Sequence, residues 1–412
     1  MISYTDALNI IRQTVDQRRL QSEKVRLEKS VGRICSENLT VGLNIPPFDN
    51  AAMDGFAVLL SDFPKDAGTD PIVLKKTGIV AAGTSQAIFN IQTGTCQHVM
   101  TGAALPQNTD AIVPIEETSF VAESVLFKDT PKIGQHIRRI GEDFLKDSVL
   151  PLKGSRLHPR HILPLATLGI AHVPVFKKPR VLFVSTGAEL IDDLAVPLET
   201  GKIYNSNSAY AESFLSACGA EVTVRKTIAD DLESVTDFLN RVDAEGYDLV
   251  ISSGAVSAGA FDFIKDGLAH IGAQILYHKI RLKPGKPNLL ARLPNGTLYF
   301  GLPGNPVATS VGLRFLVMEA MMRLQGIRKA PPVYARMMNK FNKKPGLHLI
   351  LKAKYESWDD GTLSVDIMAG QESFMVHPFL YMNAWVHLNE DIESVKAGDT
   401  VELHPLMPET FF

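Results

Sequence analysis

The 412-residue chain has little cysteine, no excess of charge of one sign and no long hydrophobic run. Cys35, Cys96 and Cys218 are odd in number and follow no CxxC or zinc-ligand spacing, which argues against a disulfide framework and a structural zinc site. Lys and Arg total 42 against 45 Asp and Glu, a formal net charge of −3 that does not favour nucleic acid as a partner. No apolar run approaches the roughly 18 residues that a membrane span needs. We therefore expect a cytoplasmic protein with no nucleic-acid or membrane partner.

Composition and hydrophobic periodicity predict a folded chain of several domains. Hydrophobic residues make up 45% of the sequence, which excludes a disordered chain, and one domain per roughly 150 residues predicts two to four domains. Residues near 5–19 predict an amphipathic helix. From about 46 to 140, short runs broken by Gly, Pro and Asn predict a β-rich region. HPRHILPLATLG predicts a helix with Pro159 in its first turn and Gly169 at its end.

Residues 177–328 alternate between strand and helix patterns. Strand patterns occur at RVLFV, VTVRKTI, DLVISS and LYFGL, and helix patterns occur near 207–217 and 231–243, at DFIKDGLAHIG and from Pro306 onward. This alternation predicts a doubly wound, mostly parallel α/β domain with helices on both faces of the sheet. After about residue 329, alternating runs around Gly and Asp turns predict a small closed or nearly closed β domain.

Three glycine-containing loops, at 185–187, 252–255 and 301–306, follow predicted strands of the α/β domain. In such folds these loops lie at the carboxyl ends of the strands and lead into helix N-termini, whose free N–H groups favour anions. We therefore predict a phosphate-type ligand at this edge. The candidate binding residues are Thr186, Gly187, Ser253, Gly254, Gly304 and Asn305. Alternatively, Thr186, Ser253 and Asn305 only cap helices and the glycines only make tight turns. Walker and GxGxxG motifs are absent.

Charged side chains of both signs could complete such a site. Lys283 and Lys286 flank a Pro-Gly turn in KPGKP and predict an oxyanion clamp, with a solvated turn as the alternative. The acidic candidates are Asp49, Asp54, Glu142, Asp143, Glu189, Asp230, Asp231 and Asp262. Collected in one cleft, they would supply the hard oxygen ligands that Mg²⁺ prefers. Taken singly, they are better explained as turn residues, first-turn acids or helix caps.

A series of motifs resembles the molybdopterin molybdenumtransferase family, which includes the gephyrin E-domain. In chain order these are PPFDNAAMDGFA, TGAALPQNTDAIVPIEE, IRRIGEDF, STGAELI, IYNSNS, SSGAVSAGAFDFIKDGLAHIGA, KPGKP and GLPGNPVAT. The ordered series extends over nearly the whole chain and is far more specific than any single loop. The resemblance implies insertion of molybdate into adenylated molybdopterin with the help of Mg²⁺, which releases AMP and forms molybdenum cofactor.

The resemblance also implies domains, an assembly and site residues. The domains are an elongated one from residues 1–45 and 141–176, an inserted β-rich one at 46–140, the α/β molybdopterin-binding domain at 177–328 and a β-barrel at 329–412. The implied assembly is a homodimer with active sites shared between subunits, and other molybdenum cofactor assembly proteins are implied partners. The implied catalytic positions are Asp54, Thr101, Asp143, Glu189, Asp231 (or Asp230) and Asp262, with Glu189 and Asp262 as metal ligands. Lys283, Lys286, Pro303 and Pro306 match the family's substrate loops.

Several positions depart from the family's pattern. They are Ala51 in place of Ser, Phe56 in place of Tyr, Ala188 in place of Asp, Ala255 in place of Gly, and a replacement of the paired serines around His377-Pro378, where Ser373 is retained. These departures motivate a second hypothesis, a non-catalytic paralogue that binds pterin or a partner protein and scaffolds cofactor assembly. A third hypothesis is an adenylyltransferase like the related single-domain proteins, against which the extra domains and the motif around Asp54 argue.

Overall fold

The computed structural model describes residues 1–16, 18, 20–64, 70–84, 90–229, 231–255, 263–327 and 332–407. The chain divides into two compact units. The larger unit consists of Met1–Glu37, Lys153–His158 and His172–Phe412, and the smaller unit consists of Asn38–Leu152 and Pro159–Ala171. We describe each unit by itself. Within the described residues, no helix combines the length and the apolar character that crossing a bilayer requires.

Helices and strands alternate along much of the chain. The helices are α1 (Tyr4–Asp16), α2 (Pro159–Thr167), α3 (Ser206–Ala217), α4 (Leu232–Glu245), α5 (Phe263–His270), α6 (Pro306–Gly312) and α7 (Met318–Leu324). The strands up to residue 150 are β1 (Ser22–Arg26), β2 (Leu39–Thr40), β3 (Asn50–Ala51), β4 (Gly55–Val58), β5 (Ile72–Val80), β6 (Thr95–Val99), β7 (Ala111–Pro114), β8 (Thr118–Val121), β9 (Ser124–Phe127), β10 (Ile137–Arg138) and β11 (Val149–Leu150). The strands from 172 to 302 are β12 (His172–Phe176), β13 (Arg180–Ser185), β14 (Leu190–Ile191), β15 (Ile203–Tyr204), β16 (Glu221–Val224), β17 (Leu249–Ser253), β18 (Gln274–His278), β19 (Leu282–Lys283), β20 (Leu289–Arg292) and β21 (Leu298–Leu302). The strands that follow are β22 (Val333–Met337), β23 (Phe341–Asn342), β24 (His348–Ser357), β25 (Leu363–Ile367), β26 (Ala384–Leu388), β27 (Ser394–Val395) and β28 (Thr400–Pro405).

The larger unit contains the predicted α/β sheet, a six-stranded sheet in the order β16-β13-β17-β21-β20-β18. The first four strands are parallel to one another, β20 pairs with β21 in antiparallel fashion, and β18 pairs with β20 in antiparallel fashion. The antiparallel edge arises because β20 and β21 are joined by a short turn through Pro294, Asn295 and Gly296 instead of a helical crossover. The prediction of a mostly parallel, doubly wound sheet is therefore confirmed.

Apolar side chains cover both faces of this sheet. Along β13, Val181 and Phe183 belong to one core while Leu182 and Val184 belong to the other, because successive side chains of a strand point to opposite faces. Buried residues of α1, α3, α6 and α7 complete the first core, and those of α4 and α5 complete the second. Both faces are covered, so the open edge at the strand ends is where a polar ligand can approach the sheet.

The chain reverses its winding direction next to β13. It passes from β13 through α3 to β16 on one side, and then through α4 to β17, which pairs with β13 on its other side. Helix α4 begins after Asp231, whose carboxylate accepts a hydrogen bond from Ser234 N at 2.7 Å. In doubly wound folds the crevice at such a reversal is the usual ligand site. In this chain it lies between the loops that follow Ser185 and Ser253.

The C-terminal part of the larger unit is a closed barrel, as the sequence predicts. Strands β24, β25, β22, β28 and β26 are neighbours in that order, and β24 also pairs with β26, which closes the ring. Its core is formed by aliphatic side chains such as Val365, Val386 and Leu403. Strand β19 adds to β24 in parallel, with Lys283 opposite Leu349, so the KPGKP segment begins against the barrel.

Three histidines from neighbouring barrel strands lie together where the barrel packs against α1 and the end of α6. His348 Nε2 is 3.2 Å from His387 Nδ1, and His387 stacks on His404 with 3.8 Å between ring centroids. Tyr4 of α1 stacks on His348, and Phe315 contacts His387 edge-on. Phe315 belongs to a π-helical turn, Leu313–Val317, that joins α6 to α7.

The smaller unit contains a six-stranded sheet in the order β7-β4-β6-β5-β9-β8. Gly55, the first residue of β4, is required by close packing, because a Cβ there would lie 2.2 Å from the carbonyl oxygen of Val113 on β7. Helix α2 also belongs to this unit; it begins at Pro159, and Gly169 follows its end with φ +69°. The predicted β-rich region and the predicted helix are thus both present.

Candidate active site

The three glycine loops meet at the carboxyl edge of the parallel strands. Thr186 N donates to Ser253 O at 2.9 Å, and Gly254 N donates to Leu302 O at 3.0 Å. A Cβ added to Gly304 would lie 3.6 Å from Gly254 Cα. The loops after β13, β17 and β21 therefore form one continuous rim.

The loop after β13 does not lead directly into a helix, contrary to expectation, and the continuation of the loop after β17 lies outside the described residues. The loop at 303–305 runs into α6, whereas the chain after Gly187 enters the short strand β14 and reaches α3 only at Ser206. Residues 188–205 pair as β14 and β15 and include Pro197, and they lack the apolar periodicity of a helix. The capping alternative is also wrong for Asn305, which occupies the N-cap position of α6 without a side-chain capping bond.

A network of buried polar side chains forms hydrogen bonds with the loops of this rim. The Ser185 hydroxyl donates to Asn205 Oδ1 at 3.0 Å and lies 3.0 Å from the Ser253 hydroxyl. Asn207 Nδ2 donates to Gly304 O at 2.8 Å and to Ser253 Oγ at 3.4 Å. Asn205 and Asn207, at the start of α3, therefore bind all three loops and fix their spacing.

Asp192 extends the network to the loop after β16. Its carboxylate accepts hydrogen bonds from the Thr227 hydroxyl and from Asn205 Nδ2, both at 2.7 Å. Burial alone would raise the pKa of Asp192, but these hydrogen bonds and one from Thr227 N outweigh burial and lower it. Sequence reasoning missed Asn205, Asn207 and Asp192. The only signal was the Asn-rich IYNSNS segment, which was noted for the resemblance alone.

The glycines of the rim meet specific steric demands. Gly187 has φ +142°, and a Cβ there would lie 2.7 Å from a carboxylate oxygen of Glu189. Gly254 has φ +101°, and its added Cβ would lie 2.5 Å from Thr186 Oγ1. That hydroxyl is buried and has no hydrogen-bond partner among the described residues, so it is available to a polar group at the rim. Ala255 adopts a left-handed conformation, φ +48°, which a side chain other than Gly seldom takes.

The predicted acidic residues of the larger unit differ in their surroundings. The Glu189 carboxylate is exposed next to Gly187, and no hydrogen bond or ion pair is found for it in the described part of the chain. Asp231 caps α4, and its hydrogen bonds with Ser234 lower its pKa. Asp230 and Asp262 lie outside the described residues. Among the residues that are described, no group of three His, Cys, Asp or Glu side chains could hold a metal ion.

Lys283 and Lys286 lie exposed on one turn, and neither side chain has a partner within the described residues. Asn288 holds this turn from inside, because its Nδ2 donates to the carbonyl of Gly285, which has φ +113°. A Cβ added to Gly312 would lie 3.2 Å from Asn288 Oδ1, so the turn lies beside α6. Two cations are therefore available next to the helix that follows the third loop.

The smaller unit contains the remaining predicted acids. Asp54 Oδ1 accepts two hydrogen bonds from Thr101, one from its N–H and one from its hydroxyl, each at 2.7 Å. These bonds lower the pKa of Asp54, so the exposed carboxylate is ionised at neutral pH. The exposed Asp143 lies on the same strand-rich unit, and its N–H donates to Ile45 O at 2.9 Å. The structure thus brings Asp54 and Thr101 together.

Comparison with known proteins gives a consistent result over the whole chain. Residues 2–169 match the MoeA N-terminal region (domain I and II), residues 182–323 a probable molybdopterin binding domain, and residues 334–406 the MoeA C-terminal region (domain IV).

Relatives and solved structures agree with these matches. A protein named molybdopterin molybdenumtransferase from Haemophilus influenzae is 34% identical over 391 residues, 93% of this chain and 94% of that protein. Another of that name from Synechococcus elongatus is 30% identical over 98% of this chain and 100% of its own length. A crystal structure of the molybdopterin biosynthesis MoeA protein from Pyrococcus horikoshii is similar with a TM-score of 0.84 at 28% identity, covering 98% of this chain and 99% of that one. The chain therefore belongs to the molybdopterin molybdenumtransferase family.

Proposed function

We propose that this protein inserts molybdate into adenylated molybdopterin, releasing AMP and forming molybdenum cofactor. The observation that carries the proposal is the single rim formed by the loops after β13, β17 and β21, where the buried Thr186 hydroxyl beside Gly254 has no partner in the described part of the chain. Loops at the carboxyl ends of parallel strands, next to a reversal of winding, suit a phosphate-bearing ligand. Membership of the family supports the identity of that ligand.

In this proposal the rim binds and orients the pterin phosphate and the adenylate. Its binding residues are Thr186, Gly187, Ser253, Gly254, Pro303, Gly304, Asn305 and Pro306. In cleavage of the phosphoanhydride, water forms a new P–O bond to one phosphorus and gives up a proton as the bridging P–O bond breaks, which leaves a negatively charged phosphate monoester on each product. In this proposal the exposed ammonium groups of Lys283 and Lys286 offset that charge and attract molybdate, itself an oxyanion.

We further propose that Glu189 and Asp262 hold Mg²⁺. The exposed Glu189 carboxylate at the rim suits this ion, which is bound by one or two carboxylates together with substrate phosphates. When bound, the ion would neutralise developing charge on phosphate oxygens. Asp231 caps a helix, so its proposed catalytic role would be to position the loop before α4.

In this proposal, the acidic residues of the smaller unit reach an active site by dimerisation. We propose a homodimer in which Asp54, Thr101 and Asp143 of one subunit face the rim of the other. Other molybdenum cofactor assembly proteins would deliver substrate or accept product. A cytoplasmic location suits Cys35, Cys96 and Cys218, which are buried free thiols.

The direct test supplies purified protein with adenylated molybdopterin, molybdate and Mg²⁺. We expect AMP release that requires molybdate and that parallels formation of molybdenum cofactor. Binding of the adenylated pterin without AMP release would instead support the non-catalytic scaffold suggested by Ala51, Ala188 and Ala255. Consumption of ATP with formation of adenylated product would support the adenylyltransferase.

Glu189→Gln should lower the rate of AMP release by roughly tenfold or more, because the neutral amide is a weaker ligand for a hard cation. Higher Mg²⁺ concentration should restore part of that rate. The matched control is Glu199→Gln, which neutralises another exposed carboxylate of the same unit and should leave the rate and its Mg²⁺ dependence unchanged. An unchanged Mg²⁺ dependence for Glu189→Gln would rule out its role as a ligand.

A further inference from the structure

Asp192, which follows β14, lies at the solvent-exposed end of the polar network that binds the rim. Its Oδ1 accepts from Asn205 Nδ2 and from the Thr227 hydroxyl, each at 2.7 Å, and its Oδ2 accepts from Thr227 N at 3.0 Å. Burial opposes ionisation, but these bonds outweigh it and lower the pKa of Asp192, so the carboxylate is charged at neutral pH. A charged carboxylate only accepts hydrogen bonds and therefore suits all three donors at once.

The side-chain amide of Asn205 is oriented from both of its ends. Its Nδ2 faces the carboxylate of Asp192, which only accepts, and its Oδ1 faces Ser208 N at 3.1 Å, which only donates. A flipped amide would place two acceptors together at one end and two donors together at the other. The carboxylate therefore helps to fix Asn205 Oδ1 as an acceptor on the inner side of the network.

The orientation of Asn205 sets the direction of the hydrogen bonds beyond it. The Ser185 hydroxyl donates its only hydrogen to Asn205 Oδ1 at 3.0 Å. The bond of 3.0 Å between the hydroxyls of Ser185 and Ser253 then uses the hydrogen of Ser253. Ser253 Oγ accepts from Asn207 Nδ2 at 3.4 Å, and the same nitrogen donates to Gly304 O at 2.8 Å. A series of bonds that runs from Asn207 to the carboxylate therefore joins all three loops of the rim.

The same carboxylate attaches the loop after β16 to the rim. It binds both the N–H and the hydroxyl of Thr227. The next residue, Ile228, donates its N–H to Ser185 O at 3.1 Å and pairs with Thr186 in a parallel bridge. The loop that leads to Asp231 and α4 is thus held against the end of β13.

We infer that Asp192 is a positioning residue: through Asn205 and Thr227 it holds the loops after β13, β16 and β17 in their substrate-binding geometry, without contacting substrate. The kinetic consequence rests on the proposed function, whereas the effect on the loops does not. A rim whose hydrogen bonds are complete before the substrate arrives loses less conformational freedom on binding. Asp192 therefore contributes to affinity from outside the rim.

Exchanging the carboxylate and the amide between positions 192 and 205 tests the inference. Asp192→Asn places a donor where the carboxylate accepts, and Asn205→Asp places two carboxylates face to face. Each single variant should raise the KM for adenylated molybdopterin roughly tenfold, with a smaller change in kcat, because the loops of the rim shift.

The double variant Asp192→Asn/Asn205→Asp keeps the net charge and again satisfies every donor. Thr227 N can donate to the new amide oxygen at position 192, and the remaining donors, Ser185, Ser208 and the new amide, can donate to the new carboxylate at position 205. The KM should therefore return to within about threefold of that of the unaltered protein. A double variant no better than the worse single variant would overturn the inference.

Asp193→Asn is the matched control. Asp193 is the neighbouring exposed acid, and its Oδ1 accepts from Ala195 N at 2.9 Å, a bond within its own turn. Its neutralisation removes the same charge from the same surface and should leave KM and kcat unchanged. An equal rise in KM for Asp192→Asn and Asp193→Asn would show that surface charge, and not positioning, is responsible, which would contradict the inference.

Amide hydrogen exchange gives a readout that requires no turnover. Ser208 N, whose acceptor is Asn205 Oδ1, and Ile228 N, whose acceptor is Ser185 O, should exchange roughly fivefold faster or more in both single variants. Both rates should return toward those of the unaltered protein in the double variant, and accelerations that multiply there would refute the inference. Absence of AMP release by the unaltered protein would refute the proposed function and leave this exchange result interpretable.

Discussion

Replacing Gly254 with alanine is expected to reduce the rate of AMP release by about 100-fold or more. The new Cβ would lie 2.5 Å from Thr186 Oγ1 and 2.7 Å from Thr186 O. The second atom is backbone, so rotating a side chain cannot relieve the clash, and the loops after β13 and β17 must separate. A displacement of about 1 Å in a site can cost on the order of 100-fold in rate. AMP release under saturating substrate measures the effect.

Gly296→Ala is the control for backbone strain. Gly296 has φ +89°, similar to Gly254, but nothing lies within 4 Å of an added Cβ there. It should cost about 1 kcal/mol of stability, as expected for a left-handed alanine, and leave the rate unchanged. Comparable losses of rate in both variants would show that strain, and not the spacing of the loops, explains the effect at Gly254.

The free energy of unfolding should fall by about 3 kcal/mol or more between pH 6.5 and about pH 4, because His348 and His387 bind protons more readily in the unfolded chain than in the folded protein. Burial, followed by Lys343, lowers the pKa of His348 to about 4 against the opposing effect of Glu390. Burial, followed by His404, His348 and Arg314, lowers the pKa of His387 further. Below pH 6.5 these two histidines bind protons in the unfolded chain, whereas in the folded protein His348 stays mostly neutral until the pH approaches 4 and His387 stays neutral to a still lower pH, so acid favours unfolding. Urea unfolding near pH 7 and near pH 4 measures the difference.

His348→Gln should reduce this acid-dependent loss, because one of the depressed imidazoles is gone. Met337→Leu is the control, since it alters a side chain of the barrel core without removing a titrating group. It should lower stability by a similar amount at both pH values. If His348→Gln and the unaltered protein lose the same free energy on acidification, the histidine cluster is not the cause.

Much of the α/β fold could be predicted because its parallel strands are buried on both faces and appear as continuous apolar runs such as RVLFV. The start of α4 could be predicted because Asp231 is a good capping residue. Two pairings could not be predicted, that of β18 with β20 and that of β14 with β15. They depend on tertiary packing and not on periodicity.

The candidate site could be predicted only in part. The glycine loops carry a local signal and do meet at one edge, but the hydrogen bonds that space them come from Asn205 and Asn207, whose pattern alone indicates only a helix start. The contact between Asn305 and Ser373 joins residues far apart in sequence, and no local pattern encodes it. The catalytic roles of Asp54, Asp143, Glu189 and Asp262 remain predictions.

Because β19 pairs in parallel with β24, the turn that carries Lys283 and Lys286 depends on the barrel for the position of its first residues. Leu282 and Lys283 take their strand partner from His348 and Leu349, and Arg281 forms an ion pair with Glu390 at 2.7 Å. A fragment that stops after α7 would keep every strand of the central sheet yet leave this edge of backbone without its partner. Loss or exchange of the C-terminal region would therefore leave the segment that begins the cationic turn without its strand partner and its ion pair.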